Sequence, residues 1–192
     1  MGTRGAFGFH VNGVDKVGYN QFDSYPSGKG VEVLAFLRKT LESPSVEAGV
    51  KALAADLKVV SGKKKPTPAQ RNALKKWSNT DVSTGKLVEW YVLLRETHGD
   101  LAKTLACGYI EDHKSFLTDF LFCEWGYIVN LDTRTLEVYS GFQKGPNKGR
   151  FAATKPNDGG YYPVGLVAEF PFDALPGDEE FVKILDPPEK ED

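Results

Sequence analysis

The chain has 192 residues, 41% of them hydrophobic, 12% aromatic and 26% charged, and its formal net charge is -2. Those proportions exclude wholesale disorder and a collagen-like chain, and the length suits one domain with a core of its own. No apolar run approaches the roughly 20 residues a spanning helix needs, so no membrane is expected, and the near-neutral charge selects no partner.

The first elements form a hairpin. Ala6 to Val11 and Val14 to Tyr19 are strand-like, and Asn12-Gly13 between them is a strong two-residue turn signal. Phe22 to Gly30 is a loop by composition. Val33, Leu34, Leu37 and Leu41 then recur at helical spacing until Ser43-Pro44. Ser45 is expected to cap a second helix whose Val46, Val50, Leu53 and Leu57 make one apolar stripe. A polar connector, Ser61 to Pro66, leads to a capping box, Thr67-Pro68-Ala69-Gln70, and a third helix carrying Leu74 and Trp77.

A fourth helix is expected over Thr84 to Thr97, stacking Leu87, Trp90, Tyr91 and Leu94 and closed by His98-Gly99. A fifth runs from Asp100 to Cys107 and stops at Gly108. Phe122 to Leu131 and Leu136 to Phe142 flank a hairpin loop, and further strands are expected at Arg150 to Thr154 and Val164 to Phe170. A short helix near Glu179 to Ile184 precedes a frayed acidic tail, residues 187–192. This order predicts a single α+β domain over residues 1–186. The N-terminal hairpin and the C-terminal antiparallel strands share a sheet, and the helical middle section packs on it.

Chemistry has several candidate seats. Asp23, Tyr25, Ser27, Gly28, Lys29 and Gly30 lie on a glycine-containing loop that opens a helix, where free N–H groups attract anions. A full phosphate loop would need glycine in place of Asp23 and Ser or Thr in place of Gly30. A threonine exposed at the N-terminus can act as its own nucleophile and base, which makes Thr3 a candidate once Met1 and Gly2 are both removed, with His10 and Asp23 as further catalytic groups. Residues 51–76 carry a local sum of +7, against -7 over residues 169–192. Lys63, Lys64, Lys65, Arg71 and Lys75, with Trp77 beside them, are therefore candidates for phosphate and base contacts.

Cys107 and Cys123 are too few for a disulfide scaffold, so a reduced, cytoplasmic protein is expected. His98, Cys107, His113 and Cys123 are the right types for zinc or for a thiol–imidazole pair oriented by Asp112 or Glu124. Their spacing matches no compact zinc motif, and neither a metal nor a cofactor is assigned.

Met1-Gly2-Thr3-Arg4-Gly5 and the stretch Tyr19 to Gly28, with its Phe22-Asp23-Ser24-Tyr25-Pro26-Ser27-Gly28, resemble a family of uncharacterised phage and microbial proteins. The segment Tyr127 to Tyr139 is similar to later strands of that family, and the likeness spans about a third of the chain. The resemblance implies a phage or mobile-element origin and no particular activity. The resulting expectation is a binding or interaction module for a host protein or an anionic small molecule. A small hydrolase is the alternative, and a nucleic-acid partner comes third.

Overall fold

A computed structural model describes residues 2–81, 87–153 and 155–186. Strands β1 (Gly5–Val11) and β2 (Val14–Asn20) come first, followed by a single π turn (Pro26–Gly30) and helices α1 (Val31–Thr40) and α2 (Pro44–Asp56). Strand β3 (Lys58–Val60), helices α3 (Pro68–Leu74), α4 (Trp90–Leu93) and α5 (Leu101–Cys107), and strand β4 (Tyr109–Glu111) make up the middle. The last third holds β5 (Trp125–Asn130), β6 (Thr135–Ser140), β7 (Gly165–Pro171) and α6 (Asp178–Leu185). No helix among the described residues is long and apolar enough to cross a membrane.

The chain is an α+β protein in which both ends build one sheet of order β2-β1-β5-β6-β7. Asn12 and Gly13 both take positive φ, 52° and 72°, as a tight hairpin turn between right-twisted strands requires. β1 pairs with β5 in parallel, from Gly5 opposite Trp125 to His10 opposite Asn130, and the sheet's other pairings are antiparallel.

Strand alternation sorts the sheet into two covered faces. Phe7, Phe9, Val129, Leu136 and Val138 point to one side, where α1, α2, α5 and α6 bury Leu34, Leu37, Ala54, Leu101 and Phe181 against them. Ala6, Val17, Ile128 and Tyr139 point to the other, beneath Leu117, Cys123, Phe151 and Val164. A third cluster of Leu74, Trp90, Leu93, Leu94 and Cys107 ties α3 to α4 and α5.

Several local expectations change in the structure. Ser43, not Ser45, caps α2 by accepting from the Val46 N–H, with Pro44 in the first turn. Of the expected α2 stripe, Val50 and Leu57 pack on the core as expected, whereas Val46 and Leu53 are exposed and Ala54 makes the contact instead. The expected fourth helix shrinks to one turn. Glu89 is extended, Trp90–Leu93 form α4, and Arg95–Thr97 tighten into a 3-10 turn that places Trp90, Leu93 and Leu94 in the third cluster. Thr84 to Lys86 of that span lie outside the described residues. Arg150 and Phe151 sit in a turn, held by their side chains to the sheet, where a strand was expected; Thr154 is outside the described residues, as is the 187–192 tail.

Gly49 lies exposed in the middle of α2, and a Cβ built there meets nothing within 4 Å. Gly49→Ala is expected to stabilise the protein by roughly 0.5–1 kcal/mol in a urea titration, since alanine removes unfolded-chain entropy at no steric cost.

Candidate anion-binding site

β2 ends in Tyr19 and Asn20, and their side chains organise the loop that follows. The Tyr19 hydroxyl donates to Gln21 Oε1 at 2.7 Å. The buried Asn20 amide donates to the Phe22 carbonyl and to Ser24 Oγ. Across from this loop stands the turn after α4. Gly99 closes that turn at a φ of +72°, and a Cβ there would come within 2.4 Å of Asn20 Oδ1. The loop and the turn therefore meet backbone to side chain, a closeness that only glycine permits.

Between them lies a recess of about 220 Å³ lined by Asn20, Gln21, Phe22, Asn79, Arg95, Glu96 and His98. Arg95 is its only cationic lining residue among those described. The guanidinium Nη1 donates to Tyr91 Oη at 3.2 Å and to His98 Nδ1 at 3.1 Å, and the group lies 5.3 Å from the Tyr91 ring. No carboxylate among the described residues pairs with it. Glu96 stands at the rim, and its Oε1 accepts from Asn79 Nδ2 at 2.8 Å.

Arginine can only donate, so His98 accepts at Nδ1 and carries its proton on Nε2. Burial, with Arg95 and His113 adding to it, lowers the His98 pKa to about 3, which keeps the ring neutral at physiological pH. Burial also raises the Tyr19 hydroxyl, against the pull of Arg4 and Arg95, which places both cations within electrostatic reach of that phenol. The recess thus offers one guanidinium without a carboxylate partner among the described residues, a neutral imidazole and amide side chains, with the Glu96 carboxylate at its rim held by Asn79. Its donors suit a carboxylate or phosphate.

The loop singled out by sequence follows directly on Phe22, and none of its residues from Asp23 to Gly30 lines the recess. Its N–H groups turn inward: Gly28 and Gly30 donate to the Tyr25 carbonyl and Lys29 to the Asp23 carbonyl. Gly28 and Gly30 allow close packing, since a Cβ at Gly28 would lie 2.5 Å from the Asp23 carbonyl and one at Gly30 would lie 2.8 Å from the Phe181 ring. Lys29 pairs with Glu32, and its Cε lies beside Gly99. Asp23, at a φ of +55°, Tyr25 and Ser27 are exposed.

The hydrolase candidates do not converge. Thr3 and Asp23 share one end of β1, where the Thr3 carbonyl accepts from the Ser24 N–H, whereas His10 is near the far end, roughly 20 Å along the strand. His10 belongs to an ionic lattice, with Nδ1 2.7 Å from Asp15 and Nε2 3.6 Å from Asp132. Asp132 also accepts from the N–H groups of Gly13 and Asn12, which hold its carboxyl below the ordinary range.

The basic candidates are surface groups. Lys63, Lys64 and Lys65 are exposed in the turn after β3, Lys75 is exposed beyond α3, and Arg71 is half-buried. Cys107 and Cys123 are buried in separate apolar clusters, and burial raises both thiols. Among the described residues no three potential metal ligands come together.

Comparison of the chain with protein-family models, with curated proteins and with solved structures finds no match.

Proposed function

We propose that this protein is a binding module for a small anionic molecule, taken up in the recess between the end of β2 and the Arg95–Gly99 turn. The observation that carries the reading is Arg95. A half-buried guanidinium normally keeps a carboxylate partner. Here, among the described residues, its hydrogen bonds go only to a phenol and a neutral imidazole, and Arg95 lines the recess. The Asp23–Gly30 loop lies outside that recess, and the N–H groups of Gly28, Lys29 and Gly30 are spent on carbonyls of the loop itself.

Calorimetric titration with inorganic phosphate tests the reading. Arg95→Ala is expected to weaken phosphate binding by roughly 10- to 100-fold, the loss of one or two charge-assisted hydrogen bonds. Arg95→Lys should fall between, since an ammonium keeps the charge and loses the fork. Equal affinity for all three proteins would remove Arg95 from the site. A salt dependence that instead follows substitution of Lys63, Lys64 and Lys65 would favour the nucleic-acid reading.

A further inference from the structure

β4 ends at Glu111, and His113 follows two residues later against the same side of β2, its backbone N–H donating to the Val17 carbonyl at 2.8 Å. Glu111 Oε2 and His113 Nε2 face each other at 3.4 Å. Both atoms are buried, and neither has a hydrogen-bond partner among the described residues. The Glu111 side chain is only 9% exposed, and a Cβ at Gly62 would lie 2.6 Å from its Oε1, so the carboxylate occupies room that a glycine leaves.

Two orphaned buried atoms of complementary type are satisfied together by one N–H···O bond. Such bonds between catalytic groups are long in unliganded proteins and tighten on binding. A proton held on Nε2 by Glu111 leaves the lone pair on Nδ1. The His113 side chain keeps 31% exposure although Nε2 is buried, so solvent reaches the ring by its other atoms. The ring lies 5.7 Å from that of Tyr19, whose hydroxyl is bonded to Gln21 in the wall of the recess.

We propose that Glu111 and His113 form a general-base dyad serving the recess, with a small anionic ester as substrate; this rests on the anion-binding reading. Arg95 holds the anionic group, and His113 Nδ1 takes a proton from water. The water oxygen bonds to the acyl or phosphoryl centre, the ester bond breaks, and the proton passes from Nδ1 to the departing alcohol oxygen. Glu111 is a positioning residue that keeps the proton on Nε2.

The test is turnover of the mono-p-nitrophenyl ester of succinate, beside reaction of the three histidines with diethyl pyrocarbonate followed by mass spectrometry. His113→Ala is expected to lower kcat about 100-fold, and Glu111→Gln about tenfold at unchanged KM. Arg95→Ala should raise KM. His113 should label fastest of the three, more slowly after Glu111→Gln, and more slowly in inorganic phosphate. Absence of turnover, or labelling of His113 that ignores both Glu111→Gln and phosphate, overturns the dyad. Phosphate binding measured calorimetrically on the same samples decides the recess separately.

Discussion

Arg150→Ala is expected to destabilise the protein by about 3 kcal/mol, at the lower end of what breaking a buried ion pair costs, because Arg150 itself is partly exposed. Alternation along β5 and β6 puts Asn130 and Glu137 on the same covered face, where Glu137 is 5% exposed. Asn130 Nδ2 and Tyr139 Oη donate to Glu137 at 2.7 Å each. Arg150 adds a fork, from Nε at 3.2 Å to each oxygen and from Nη2 at 2.8 Å to Oε2, and reaches on to Asp15. Removing the guanidinium strands a buried carboxylate and unpins the turn that carries Phe151 over the sheet. Pairing Arg150→Met with Glu137→Gln should restore most of the loss, since no charge then remains unpaired.

The same network sets an acid limb. Burial works to raise the Glu137 pKa, but the hydrogen bonds from Arg150, Asn130 and Tyr139 and the Arg150 charge hold it below its ordinary value of 4.5. A depressed carboxyl stabilises the fold above its unfolded pKa, and that contribution drains away as pH falls through the lower folded value. Urea titrations from pH 7 downward should therefore show stability falling below about pH 4.5, with a flatter fall after Arg150→Ala. A loss under 1 kcal/mol at pH 7 would show that the network contributes little.

Gly8→Ala is the second large effect, with an expected loss of about 3 kcal/mol or more. Gly8 stands opposite Val17 in the β1–β2 register, and a Cβ there would lie 2.1 Å from the Lys16 carbonyl oxygen and 2.9 Å from Val17 Cα. Both obstacles are backbone, so no side chain can swing aside and the strands must separate. Lys16 would move with them. Its ammonium donates to the Ala55 and Leu57 carbonyls and so ties the end of α2 to the sheet. A shift of β2 thus reaches α2 as well as the hairpin. Urea unfolding beside Gly49→Ala, where the space is open, separates this steric effect from helix propensity; equal and opposite changes of under 1 kcal/mol would contradict it.

Features written in a few adjacent residues were legible in the sequence. The Asn12-Gly13 turn, the Thr67–Gln70 capping box and the Gly108 stop at the end of α5 all follow from local chemistry. The shared sheet was legible from the order of strands and helices, but the parallel pairing of β1 with β5 was not, because nothing in Gly5–Val11 names a partner so distant in sequence. The two-stranded sheet of β3 and β4 was missed because three-residue strands such as Lys58–Val60 carry too little alternation to announce themselves. In α2 the apolar spacing pointed at Val46 and Leu53, while the small Ala54 makes the contact, since a helix so close to the sheet favours the smaller side chain.

The candidate site was legible only in its parts. Tyr91, Arg95 and His98 stand four and three residues apart, helical neighbours that spacing alone would bring together. What turns Arg95 from a solvated surface charge into part of a recess is the rest of the lining, and Asn20, Gln21 and Asn79 come from other parts of the chain. By residue type, His98 and His113 suit zinc or a thiol partner beside Cys107 and Cys123. The fold buries those thiols in apolar clusters and leaves the imidazoles with Arg95 and Glu111 instead.

The most direct measurement is a map of backbone amide chemical shifts while inorganic phosphate is titrated into the protein. Saturable shifts are expected at Asn20 to Phe22 and at Arg95 to Gly99, and they should vanish in Arg95→Ala. Shifts confined to Lys63 to Lys75, or to Tyr25 to Gly30 with Arg95 silent, would contradict the recess as the place where this protein binds its ligand.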